Sequence, residues 1–221
     1  MDARRAAVLQ ALGIERFIPR AVSQPLVSVA PLEVAAMDRP VLSETIGQCQ
    51  QCALGGSRTR SVVGSGAEAA PWFFLAETPD PEDDRSGAVL SGRTGALLIS
   101  MLRALGLARE QVFVSTAVKC TPSARAVTVS ELAACAPYVH RQVVLQQPKV
   151  VLCLGARVAD QLLGVAGTLG DRRGRVHRLE SVGCAVVVTH SLTDILKAPA
   201  HKAQVWADLQ LAADVVHGRI S

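Results

Sequence analysis

Four short runs of apolar, β-favouring residues punctuate the chain, at Trp72 to Ala76, Val112 to Ala117, Val150 to Leu154 and Ala185 to Thr189. Longer segments with helical spacing follow most of them, at Thr94 to Leu105, Val129 to Gln146, Ala156 to Leu163 and Ala200 to Val216. Strands that are apolar on both faces and separated by helices predict an α/β domain with a parallel sheet covered on each side. Ligands of such sheets bind beyond the carboxyl ends of the strands, so the residues just after each strand are the first candidates for chemistry.

The pattern upstream is different. Met1 to Phe17 places Ala7, Leu9, Leu12 and Ile14 near one helical stripe, with Gly13 where a helix would end. Pro19, Pro25, Pro31 and Pro40 then interrupt a mixed stretch that reads as an extended linker. The expected organisation is a peptide over 1–20, a linker over 21–42 and one domain over 43–217.

Composition narrows the class. The 221 residues are 49% hydrophobic and 19% charged, enough apolar material for one packed core and too much for disorder. No apolar run approaches the roughly 20 residues that span a bilayer, and the N-terminus has no apolar signal core. A cytoplasmic protein without a membrane partner is expected. A net charge of +4 is too small to require nucleic acid, and 3% aromatics leave little for base stacking. The densest basic cluster, Arg172, Arg173, Arg175, His177 and Arg178, reads as a solvated hairpin turn.

The six cysteines divide into two kinds. Cys153 and Cys184 sit inside apolar runs and read as small buried hydrophobes. Cys49 and Cys52 form a C-x-x-C pair among glycines, while Cys120 follows the second strand and Cys135 comes one loop and a helical start later. A lone C-x-x-C fits a redox dithiol, half a zinc site or half a cluster site. Four thiolates suit zinc or iron-sulfur equally by count, so the residues predict a metal site and leave the metal open.

An ordered set of motifs goes further. Ala76-Glu77-Thr78-Pro79-Asp80, Gly87 to Gly95 (G-A-V-L-S-G-R-T-G), Val118 to Pro122 (V-K-C-T-P), Glu131 to Cys135 (E-L-A-A-C), Leu154-Gly155-Ala156, Thr189-His190-Ser191 and Lys202 to Leu209 follow the cysteine pair in sequence. Together they resemble the iron-sulfur uracil-DNA glycosylases over about Ser43 to Leu211. The resemblance implies a three-layer αβα sandwich with a four-stranded parallel sheet, here with an added N-terminal helical arm. It also implies a [4Fe-4S] cluster on Cys49, Cys52, Cys120 and Cys135.

At the working positions the chain departs from that family. Leu90 stands where the family has a stacking aromatic, and Thr116 where it has an asparagine that reads the uracil edge. Ser191 replaces the proline after His190, and Asp80 replaces a glycine near where a phosphodiester would approach. Glu77 and His190 are kept. The expectation is a vestigial pocket of Glu77, Leu90, Thr116 and His190 with no enzyme activity and weak or absent DNA contact.

The N-terminal arm is similar to the opening of the psi subunit of bacterial DNA polymerase III, through Arg4, Arg5, Leu9, Leu12-Gly13-Ile14 and Phe17. Ser191-Leu192-Thr193-Asp194 with Pro199, Ala203 and Trp206, and the stretch Leu102 to Val112, add to that likeness. It implies a noncatalytic adaptor whose arm binds the clamp-loader gamma/tau subunits and whose body binds chi, reaching single-stranded-DNA-binding protein indirectly. The alternative reading is a DNA glycosylase that removes uracil or another deaminated base.

Overall fold

The computed structural model describes residues 31–122 and 125–220. A six-stranded sheet forms the middle layer, with β1 (Ser65–Gly66), β2 (Trp72–Ala76), β3 (Val112–Thr116), β4 (Val150–Leu154), β5 (Val176–Leu179) and β6 (Cys184–Thr189). The spatial order is β1-β3-β2-β4-β6-β5. Neighbours among β3, β2, β4 and β6 pair parallel, as expected, whereas β1 and β5 add antiparallel edges.

Because side chains alternate along a strand, the continuous apolar runs feed both covering layers. Phe73 and Leu75 point with Val151, Val186 and Val188 toward α5 (Val129–Gln146) and α6 (Ala156–Leu163), meeting Leu132, Val139, Val158 and Leu162. Trp72 and Phe74 point with Val114 and Leu152 toward α4 (Arg93–Ala104), α8 (Leu192–Lys197) and α9 (Lys202–Val216). Leu98, Leu102, Ile195 and Leu209 close that layer.

The expected linker over 21–42 becomes ordered helix from residue 31. Pro31–Ala36 is α1 and Arg39–Gln48 is α2. Both pack on α5, burying Val34, Leu42 and Ile46 around Tyr138. Arg39 donates to Gln146 Oε1 at 2.9 Å, and Arg141 donates to the Met37 carbonyl at 2.5 Å, so these prolines open packed helices. The arm residues Arg4, Arg5, Leu9, Leu12, Gly13, Ile14 and Phe17 lie outside the described residues.

The basic cluster is likewise built in. Arg172 is 5% exposed and pairs with Asp160 at 2.6 Å, while Arg173 pairs with the buried Asp208 at 2.8 Å. The solvated-turn expectation fails there because these guanidiniums tie α7 (Leu169–Arg172) and β5 to α6 and α9. No described helix is long and apolar enough to cross a membrane.

Candidate active site

The carboxyl ends of β2 and β4 open onto a cavity of about 600 Å³. Glu77, the first residue past β2, lines it with Leu90, Arg157 and Lys197. At the end of β4, Gly155 adopts φ +124°, a conformation that favours glycine, and donates its N–H to the Thr189 carbonyl at 2.9 Å. That bond ties β4 to β6 and starts α6 so that Arg157 falls in its first turn. Arg157 donates to Glu77 Oε1 at 2.7 Å and also to the Val127 carbonyl. The carboxylate is thereby held in place on the cavity wall by an arginine that the sequence reading did not single out.

Leu90 sits on a loop with an unusual support. Its φ is +51°, which costs a branched residue about 1 to 3 kcal/mol unless the surroundings enforce it. Asp83, in α3 (Pro81–Ser86) and with no exposed surface, supplies that enforcement. Its carboxylate accepts from the N–H groups of Asp80 (3.0 Å), Leu90 (3.0 Å) and Ser91 (2.6 Å), and from the Ser91 hydroxyl (2.6 Å). Gly95 is glycine for a steric reason, since a Cβ there would lie 1.7 Å from the Leu90 carbonyl oxygen. Replacing Asp83 by alanine strands the buried Leu90 N–H at about 1 to 3 kcal/mol and frees the partly buried N–H groups of Asp80 and Ser91. D83A is therefore expected to lower the melting temperature by roughly 2 to 12 °C, at about 2 to 4 °C per kcal/mol for a chain of this size. A thermal shift below about 2 °C would show that the loop does not depend on this carboxylate.

Thr116 and His190 sit elsewhere than expected. Neither reaches the cavity wall. Thr116 is fully buried at the end of β3, with its hydroxyl unpartnered and its carbonyl bound by Lys119 Nζ at 2.6 Å. His190 stacks on His201, ring centres 4.0 Å apart, and its Nε2 meets Gln204 Oε1 at 2.7 Å. Of the four pocket positions marked in the sequence, Glu77 and Leu90 line the cavity, and Thr116 and His190 are not among its lining residues.

Cys49, Cys52, Cys120 and Cys135 lie in the layer of α5, on the face of the sheet that carries Phe73 and Leu75. Cys120 feels the charges of Cys49 and Cys52, and Cys135 those of Cys120 and Cys52. Burial pushes the Cys135 thiol up to about 12 and raises that of Cys120, against the Arg58 guanidinium that donates to Cys120 Sγ at 3.0 Å. Among the described residues no three His, Cys, Asp or Glu side chains converge on one ion-sized point. Cys153 and Cys184 are buried in the core, as expected.

Comparison with known proteins fits this geometry. Residues 63–210 match the model of the uracil DNA glycosylase superfamily. A type-4 uracil-DNA glycosylase of Pyrobaculum aerophilum is 30% identical over 182 residues, covering 79% of this chain and 93% of that protein. That of Archaeoglobus fulgidus is 33% identical over 148 residues, 65% of this chain and 74% of the other. That of Thermotoga maritima is 38% identical over 117 residues, with coverages of 52% and 61%.

These matches overturn the expectation of a noncatalytic psi-like adaptor, and with it the gamma/tau, chi and single-stranded-DNA-binding protein partners. The relatives are named as glycosylases, and the family model matches residues 63–210, within the body. Changes at Leu90 and Thr116 argued against an enzyme only if they also removed the pocket and its acid, and both persist. From the sheet order, the cavity beyond β2 and β4 and the match over 63–210, the chain belongs to the uracil DNA glycosylase superfamily.

Proposed function

We propose that the protein is a DNA glycosylase that removes uracil or another deaminated base. The observation that carries this reading is Glu77, held by Arg157 on the wall of the 600 Å³ cavity, in a chain that aligns with nearly the whole length of a type-4 uracil-DNA glycosylase. A base inside a duplex cannot reach such a cavity, so the nucleotide must turn out of the stack to enter it. The bond from the sugar C1′ to the base nitrogen then breaks, and the base leaves with the electron pair. Positive charge develops on the sugar, and the Glu77 carboxylate is placed to stabilise it. Water adds to C1′, losing one proton to Glu77 or the departing base, and an abasic site remains.

Leu90 sets the selectivity. It offers the base apolar contact without a stacking plane, and Thr116, which does not line the cavity, supplies no edge reader. The enzyme should therefore discriminate weakly against bases other than uracil. Abasic-site formation on oligonucleotides carrying uracil, hypoxanthine or xanthine tests the activity, and no product on any of them would defeat it. Leu90→Phe adds the missing plane, and stacking worth about 1 to 3 kcal/mol converts to roughly 5- to 150-fold tighter use of the uracil substrate. An unchanged KM in that variant would mean that Leu90 does not face the base.

We further propose that Cys49, Cys52, Cys120 and Cys135 hold a [4Fe-4S] cluster. The support is that these thiols lie near enough to influence one another electrostatically, at the positions where the resemblance to the iron-sulfur uracil-DNA glycosylases places its ligands. When bound, the cluster supplies a cross-link that stabilises the fold. Cys120 lies two residues before Pro122, which lines the cavity.

A further inference from the structure

One arm of the Arg58 guanidinium donates to Cys120 Sγ at 3.0 Å, and the other donates to the Gly47 carbonyl at 2.7 Å. Those partners set it apart. Arg125, Arg157, Arg172, Arg173 and Arg219 each pair with a carboxylate, whereas among the described residues no carboxylate lies within ion-pair distance of Arg58. A half-buried cation aimed at a neutral thiol gains little, because thiol sulfur is a weak acceptor. Aimed at a thiolate, it makes a charge-assisted bond roughly twice as strong as a neutral one.

The two partners belong to different parts of the cysteine set. Gly47 lies in the last turn of α2, where carbonyls lack acceptor partners within the helix, and two residues before Cys49. Cys120 is 62 positions beyond Arg58. One guanidinium therefore joins the segment that carries Cys49 and Cys52 to the segment that carries Cys120, and it does so at the sulfur. Other donors face the same thiols. The Tyr138 hydroxyl, which accepts from Gln51 Nε2 at 3.3 Å, faces Cys49, and the backbone N–H of Lys119 faces Cys135.

We propose that Arg58 is the cation that holds the cluster from outside its ligands, fixing Cys120 against the C-x-x-C segment and raising the cluster's reduction potential through its bond to the Cys120 sulfur. The assignment rests on the cluster proposed for Cys49, Cys52, Cys120 and Cys135. Its direction follows from charge. Reduction adds one electron to the thiolate-bound iron, and a positive N–H donor at sulfur stabilises the more negative state the more strongly. Arg58 touches no substrate, so its role is that of a positioning residue.

The experiment compares the full chain with R58M, R58Q and R58K, purified without oxygen, by redox titration against mediator dyes and by iron release to a chelator. The dye supplies the one electron of the couple. R58M and R58Q remove the charge and should lower the reduced-to-oxidised ratio at a fixed potential roughly 10-fold, a shift of about 59 mV for one electron. They should also hold iron roughly 10- to 100-fold less tightly, the usual cost of losing an outer partner of a metal ligand. R58K keeps the charge and should lie nearer the wild type in both measurements. R60M removes a neighbouring exposed arginine that bonds the Ser86 carbonyl instead of a sulfur, and should match the wild type. A potential unmoved in the neutral variants overturns the proposal whatever their iron release, since a merely structural tie to Gly47 would change release alone. Iron lost from both neutral variants but kept in R58K supports it, and iron lost from all three overturns it. A wild-type chain that binds zinc or no metal defeats the cluster reading and this proposal together, whereas an iron-loaded wild type with unmoved variants defeats this proposal alone.

Discussion

Glu77→Gln is expected to lower the single-turnover rate of base excision by roughly 100-fold or more, while leaving DNA binding and folding nearly unchanged. Groups that exchange a proton or meet developing charge in the transition state contribute about 10² to 10⁴ in rate, and glutamine can do neither. Folding should survive because the pair is partly solvated, with Glu77 29% and Arg157 39% exposed. Such pairs contribute about 0 to 1 kcal/mol. The loss would therefore appear in the rate and not in the melting temperature. An E77Q variant with a rate within threefold of the wild type would remove Glu77 from the chemistry. In that case the carboxylate would serve only to hold Arg157 and the Val127 carbonyl in place.

Loss of the cluster should have the larger effect on stability. Cys120→Ser and Cys135→Ser, singly and together, are expected to abolish bound iron and the broad absorbance near about 400 nm. A structural metal site contributes its binding free energy to folding. Even a net loss of about 3 kcal/mol lowers the melting temperature by roughly 6 to 12 °C for a chain of this size. Cys153→Ala is the control, since Cys153 is buried in the core among Val151, Val186 and Val188 rather than beside Cys49 and Cys52. It should keep its iron while losing a small amount of packing. Unchanged iron content in the double variant would exclude these thiols as ligands. Excision should also weaken in C120S, because Cys120 lies two residues before Pro122 on the cavity wall.

The strands were legible almost residue for residue. Trp72–Ala76 and Val150–Leu154 occur where the apolar runs place them, and α5 spans the expected Val129–Gln146. The two edge strands were not. Ser65–Gly66 is two residues long, and Val176–Leu179 carries His177 and Arg178, so neither produces an apolar run. Edge strands pair on one side only and tolerate polar residues, which erases the signal. The helices at 31–48 were hidden by prolines that read as a linker, although proline suits the first turn of a helix.

The site was half legible. Glu77 and Leu90 were marked by the motif around them, and a signal for Arg157 existed in its position just past β4, among the residues where a parallel sheet binds its ligands. Its partner is 80 positions away in the chain, and no local pattern links the two. The buried Asp83, which accepts four hydrogen bonds from Asp80, Leu90 and Ser91, looked like one more acid in a charged run. Only burial separates a structural carboxylate from a solvated one, and burial belongs to the tertiary fold.

By itself the sequence determined the layered α/β body, the positions of the four parallel strands and the set of cysteines and acids near their ends, because periodicity and residue type are local properties. The tertiary structure decided which of those residues share a wall. It turned Glu77 toward Arg157 and kept Thr116 and His190 out of the cavity lining. Those outcomes depend on distances between segments far apart in the chain, which packing alone sets.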